Sequence, residues 1–212
     1  MPSISREVRT YIEGHPTVSE AMRLGIANHS AVARKIGKEL GIGKPQAILA
    51  ACRRFPIDRS LTYRDEAIRR VLRKSRIETR TKITAITVTQ GIDVLQRLGD
   101  VVEELLDENR ICRLIQVSRG TVIIVDEDSA PRVTKKIREA QLIAVQRNLV
   151  ELAVTSPESI EATPGLLAFL ASVLATRGIN IVHGMSCYTD TIFILGHDDM
   201  TVAVETLTRA LE

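Results

Sequence analysis

The feature that most constrains this chain is an order of elements that occurs twice. Ile83-Thr-Ala-Ile-Thr-Val-Thr89 has the β-branched composition and period of a strand, and from Asp93 to Glu108 the residues Val94, Leu95, Leu98, Val101, Val102, Leu105 and Leu106 fall on one helical face. A hairpin follows, Ile111 to Val117 and Thr121 to Val125 around Ser118-Arg119-Gly120, then a helix with Ser129 as cap and Pro131 in its first turn, then a strand from Leu142 to Arg147. The series restarts with a strand at Leu149 to Thr155, a helix at Thr163 to Arg177, a hairpin of Ile179 to Met185 and Thr191 to Leu195, and a helix from Asp198 or Asp199 to Leu211. Thr89 and Thr155 are 66 residues apart, Leu106 and Leu174 are 68 apart, and Thr121 and Thr191 are 70 apart, so the insertions fall in loops. The pattern predicts two ferredoxin-like βαββαβ domains, each with helices on one face of an antiparallel sheet. After Leu211 no residues remain for the fourth strand of the second domain. Its unpaired edge is expected to be covered by the linker at Ile77 to Thr81 or by a second chain.

The helix at 163 to 177 is the best-defined element. Pro164 suits a first helical position, where its missing N–H costs nothing, and Gly178 suits a left-handed stop. Ahead of the repeat, helices are predicted from Ser5 to Ile12, Thr17 to Leu24 and Ser30 to Leu40, with a fourth opened by Pro45 and a linker helix capped by Thr62. Three short helices joined by tight turns resemble a helix-turn-helix module. The expected class is α+β: a helix-turn-helix-like domain (1–58), a basic linker helix (59–81), and two ferredoxin-like domains (82–147 and 148–212), the second lacking its last strand.

Charge divides the chain at about the same place. Residues 1–82 hold 18 Lys and Arg against 8 Asp and Glu, whereas residues 83–212 hold 11 against 18. The basic half is a candidate for nucleic acid or another anionic surface, and the alternative is that the two halves attract each other. If the third helix reads DNA, His29, Ser30, Arg34, Lys35 and Lys38 face phosphates and base edges; the other reading of these charges is a solvated face.

Several function classes receive no support. No apolar run approaches the roughly 18 residues of a membrane span, and the charged N-terminus lacks a signal-like apolar region, so a cytoplasmic protein is expected. Cys52, Cys112 and Cys187 lack the spacing of a zinc site or a disulfide framework. No nucleophile with its base, paired carboxylates or phosphate loop stands at catalytic spacing, and Gly41-Ile-Gly43 follows no strand. The expectation is a non-enzyme without metal or cofactor. His183 reads as an ordinary sheet residue and His197-Asp198-Asp199 as a helix start.

The stretch Ser159-Ile160-x-x-Thr163-Pro164-Gly165, Leu174-Ala175, Arg177-Gly-Ile-Asn-Ile181, and Ser186 ahead of Thr191-Ile-Phe-Ile194 resembles the ACT domain, a regulatory module attached to aspartate kinases and other enzymes of amino-acid metabolism. The first repeat keeps the element order but departs from that motif, with Gln90-Gly91-Ile92-Asp93 and Asn109-Arg110-Ile111 in its place. The whole arrangement is similar to a group of predicted archaeal regulators of amino-acid metabolism. The resemblance implies a small effector, an amino acid, held where two such domains meet by Ser159, Ile160, Glu161, Ala162, Thr163, Pro164 and Asn180. The first repeat then forms a wall of that site, and Glu161 faces the α-ammonium. It implies a homodimer or higher homo-oligomer that either controls transcription through duplex DNA or confers feedback control on a separate biosynthetic enzyme.

Overall fold

A computed structural model describes residues 3–58 and 60–212, with backbone only at 60–63. It divides into two compact units, one ending at Ala67 and the other running from Ile68 to Glu212.

The first unit is helical: α1 (Ile4–Glu13), α2 (Pro16–Arg23), α3 (His29–Leu40) and α4 (Pro45–Arg53). Local chemistry sets their limits. Pro16 and Pro45 occupy first-turn positions. The Asn28 side chain accepts hydrogen bonds from the N–H groups of Ser30 and Ala31, and Gly41 ends α3 at φ 65°. Val8, Ile12, Met22, Ile36, Ile48 and Cys52 form the buried centre. At its margin the Tyr11 hydroxyl donates to Glu39 at 2.5 Å, and Glu39 also accepts from Lys35. A further helix, α5 (Ser60–Leu72), crosses from the first unit into the second. The Thr62 side chain, expected to cap it, lies outside the described residues.

The second unit is one six-stranded antiparallel sheet with four helices of its own. Along the chain come β1 (Arg76–Thr89), α6 (Ile92–Asp107), β2 (Cys112–Val117), β3 (Gly120–Asp126), α7 (Ala130–Lys136), β4 (Leu142–Thr155), α8 (Leu166–Ala175), β5 (Ile181–Cys187), β6 (Asp190–Gly196) and α9 (Met200–Leu211). The strand order is β2-β3-β1-β4-β6-β5. Ser129 precedes α7 without a side-chain capping bond; its N–H and hydroxyl donate instead to Asp126.

Two differences from the expected layout define the architecture. The strands expected at 142–147 and 149–155 are one 14-residue strand, β4, and β1 is equally long because it begins at Arg76. The linker helix expected over 59–81 therefore ends at Leu72, and residues 76–81 are extended. β1 and β4 pair in two stretches: Ile83 to Val88 lies against Leu149 to Leu142, and Arg76 to Arg80 lies against Thr155 to Glu151. Lys82 and Asn148, at φ 56° and 55°, mark the break in each strand. Residues 76–80 thus fill the fourth-strand position of the second ferredoxin-like half, which does not lack it. The edge of β4 offers unpaired N–H and C=O groups, and the β-branched alternation from Ile77 to Thr81 satisfies them.

Three apolar layers result. Ile86, Val88, Ile123 and Val125 pack beneath α6 and α7. Val150, Leu152, Val154, Phe193 and Leu195 pack beneath α8, α9 and the end of α5. The third layer, including Ile83, Ala85, Ile124, Leu149, Ile192 and Ile194, is built from strands alone. A sheet face covered by no helix can bury such residues only by curling on itself. The Arg113 guanidinium shows that it does: β2 and β4 are three strand positions apart, roughly 14 Å in a flat sheet, yet Arg113 bonds Glu151 at 2.6 Å and 2.8 Å. No described helix is long and apolar enough to cross a membrane.

Candidate ligand-binding cleft

Where β4 leaves the sheet, a short loop is fixed at both ends. Thr155 donates to the Asp190 carboxylate at 2.7 Å, the Ser156 N–H donates to the Thr189 carbonyl at 2.8 Å, and the Ser156 and Ser75 hydroxyls are 2.8 Å apart. The chain then makes a 3-10 turn, Glu158–Ala162, anchored by buried Ile160, and Thr163 closes it by donating to the Ser159 carbonyl at 2.7 Å. Gly165 follows at φ 88°, a left-handed conformation that favours glycine. Pro164 therefore stands before α8 and not in its first turn, and Gly165 is the capping residue. No side chain caps this helix.

The uncapped end of α8 opens on a cleft of about 640 Å3. Ile160, Glu161, Thr163 and Gly165 form one side, Leu166, Leu167, Ala168 and Ala171 of α8 the second, and Ser186 and Tyr188 of the β5–β6 hairpin the third. The Tyr188 hydroxyl donates to Glu158 at 2.5 Å, and that hydrogen bond raises its pKa above the usual phenol value. The cleft thus offers free helix N–H groups, one unpaired carboxylate at Glu161, and an aliphatic wall. N–H groups at a helix N-terminus attract a carboxylate, and a carboxylate attracts an ammonium.

Of the residues expected to form the site, Ile160, Glu161 and Thr163 line the cleft. Ser159 contributes its carbonyl to the loop, and Ala162 and Pro164 are exposed beside it. Asn180 is not brought to them. It stands beyond the C-terminal end of α8, and β5 runs roughly 20 Å from there to Ser186. The first repeat does not wall the cleft either, since every described lining residue lies between 160 and 188. The equivalent turn of the first half, Gln90-Gly91, follows the C-terminal end of β1, whereas the cleft loop lies by its N-terminal end, where Arg76 pairs with Thr155. There Asp93 is held below the usual carboxylate range by a 2.7 Å hydrogen bond from Gln141.

Sequence reasoning missed Leu167, Ala168, Ala171 and Tyr188. One signal could have found the first three: Leu166 to Ala171 is apolar around the whole helix, although the core takes only Leu166, Leu170 and Leu174. The surplus apolar face lines the cleft. Tyr188 sits in a turn whose position depends on tertiary pairing, and no sequence pattern marks it.

The residues expected to contact nucleic acid share α3. His29 is half-buried, Ser30, Arg34, Lys35 and Lys38 are exposed, and Lys35 is tied to Glu39. Among the described residues no group of three or more His, Cys, Asp or Glu is placed to hold a metal ion. His183 lies at a register shift in β5, and burial lowers its pKa.

No protein-family model matches the sequence, and no curated protein does. Solved structures share the fold. The chain is similar to the ligand-free regulatory subunit of aspartate kinase from Thermus thermophilus, at 15% identity over 64% of this chain and 96% of that one, TM-score 0.52. The regulatory subunit of aspartate kinase from Thermus flavus gives 13% identity over 64% and 97%, TM-score 0.52. Aspartate kinase from Clostridium acetobutylicum gives 11% identity and TM-score 0.53, covering 64% of this chain, which spans only 34% of that enzyme. The α+β fold is therefore the one used by regulatory parts of aspartate kinases.

Proposed function

We propose that this protein is an amino-acid-responsive regulator whose effector binds in the α8 cleft. The observation that carries the reading is the convergence there of the uncapped helix N-terminus, the unpaired Glu161 and the aliphatic face of Leu167, Ala168 and Ala171. The α-carboxylate is bound by the N–H groups of α8, the α-ammonium by Glu161, and an aliphatic side chain lies along the helix. Among the described residues the cleft lining contains no cation, which disfavours an acidic side chain. The fold shared with aspartate kinase regulatory subunits supports the same class of function.

Thermal unfolding of the full chain in the presence of each amino acid tests the reading. An effector at one hundred times its Kd adds about 2.7 kcal/mol of apparent stability, so at least one aliphatic amino acid is expected to raise the Tm clearly. Glu161→Gln, which keeps the shape and removes the charge, is expected to weaken that ligand about tenfold through loss of a charge-assisted hydrogen bond. If no amino acid shifts the Tm of the intact protein, or Glu161→Gln binds as the unsubstituted chain does, the assignment is wrong.

The output has two readings. In the first, α3 presents Arg34, Lys35 and Lys38 to duplex DNA, and effector binding sets the spacing of paired heads in a homodimer through unequal affinity for two states. The second, feedback control of a separate biosynthetic enzyme, is favoured by the Thermus regulatory subunits, of which this chain spans 96% and 97%. Titration of short duplex DNA separates them. The first reading requires affinity that falls steeply with salt and weakens on Arg34→Gln. Absence of binding at low salt, with and without amino acids, leaves the second.

A further inference from the structure

A second concave site lies in the helical unit, where α1 passes the C-terminal end of α4. Its cavity is about 270 Å3, with Val8, Ala51 and Phe55 as floor and Ser5, Arg9 and Arg54 as rim. The floor is rigid: Val8, Ala51 and Phe55 all belong to the packed centre of the unit. Neither Arg9 nor Arg54 has a hydrogen-bond or ion-pair partner among the described residues, whereas Arg23 is paired with Asp58 and Arg64 with Glu20. Among the described residues no acidic side chain lines the cavity.

We infer that this pocket binds a phosphoryl group. Two guanidinium groups on one concavity supply planar, charge-assisted donors, which match the oxygens of a phosphate better than any neutral ligand. The Ser5 hydroxyl adds a further donor to the lining. The volume falls below the roughly 300–1,000 Å3 of sites for drug-sized ligands, so it takes a small anionic group and not a whole cofactor. Such a group is carried either by a free phosphorylated metabolite or by a nucleic-acid backbone. The site is independent of the α8 cleft and stands whether or not an amino acid binds there. It also places the anion-binding side chains on α1 and after α4, apart from the α3 residues singled out from the sequence.

The test is a titration of the full chain with pyrophosphate, followed by the amide and arginine Nε signals in NMR. Shifts are expected at Ser5, Arg9, Ala51 and Arg54. Arg9→Gln and Arg54→Gln are each expected to weaken binding about tenfold with the melting curve unchanged, while Arg34→Gln leaves it as it was. Short duplex DNA distinguishes the sources: competition for the same signals with steep salt dependence assigns a backbone phosphate, and signals unmoved by DNA but moved by pyrophosphate assign a free phosphorylated molecule. The proposal is overturned if pyrophosphate leaves these signals in place, if sodium chloride at equal ionic strength moves them as much, or if both glutamine variants bind undiminished.

Discussion

Arg113→Ala is expected to lower the unfolding free energy of the sheet unit by about 3–5 kcal/mol, the range for removing one partner of a buried ion pair. Glu151 lies in the middle of β4 with no exposed surface. Arg113 of β2 donates to both its oxygens, and Arg80 of β1 adds a third bond at 2.8 Å. The two sides of this network differ. Without Glu151 the arginines, both partly exposed, can turn to water. Without Arg113 the carboxylate stays buried with a single, half-exposed partner, so Arg113→Ala should cost more than Glu151→Leu. Acid sets a further condition. Burial pushes the Glu151 carboxyl up, but the hydrogen bonds and charges of Arg113 and Arg80 outweigh it and hold the pKa below the usual carboxylate value. The stabilisation from this network is therefore fully present above the ordinary carboxylate range and is lost as pH falls through the depressed pKa. In Arg113→Ala burial dominates, the carboxyl is raised, and protonation relieves the penalty. Denaturant unfolding at neutral pH and near pH 4 should show the gap between the two proteins narrowing on acidification; an equal gap at both would mean that the charge of Glu151 is not what Arg113 compensates.

The same network explains why the sheet was harder to read than the helices. α2, α3 and α4 begin and end where Pro16, Asn28, Gly41 and Pro45 act on their own neighbours, and such local rules are visible in the sequence. The alternation of strand and helix was equally legible from Ile83 to Leu211. What escaped was the sharing of two long strands. Lys82 and Asn148 break the alternation of faces by one left-handed residue each, and neither is a glycine or proline that would mark a turn. The charges of Arg80, Arg113 and Glu151, surface-like by type, gave no sign that the curled sheet would bury the carboxylate. The residues around the cleft divided the same way. The loop from Ile160 to Thr163 carried its own motif, whereas Tyr188 reached the cleft only through the pairing of β5 with β6, and Asn180 was separated from it by the length of β5.

Gly120→Ala should be nearly as damaging as loss of Arg113, and the same change at Gly99 should do the opposite. Gly120 opens β3 and pairs with Thr89 on one side and Val117 on the other. A Cβ at Gly120 would stand 2.3 Å from the Val88 carbonyl oxygen, a backbone atom of the neighbouring strand, and 3.6 Å from Ile143 Cδ1. A side-chain tip could swing away, but a paired carbonyl cannot, so β1 and β3 must separate at this end. Overpacking of this kind costs about 1–3 kcal/mol, and the upper part of that range is expected because two strand pairings share the residue. Loss of register there would also shift β2 and with it Arg113, so the damage should extend to the Glu151 network. Gly99 lies exposed in α6 with nothing within 4 Å of its would-be Cβ. Alanine there relieves the helix penalty of glycine and should stabilise by about 0.8–1 kcal/mol. Chemical unfolding of both variants, with amide hydrogen exchange across Thr121 to Val125, checks the pair. Opposite signs, with exchange accelerated only in Gly120→Ala, are expected; a Gly120→Ala protein as stable as the unsubstituted chain would mean that β1 and β3 do not approach as closely as this register requires.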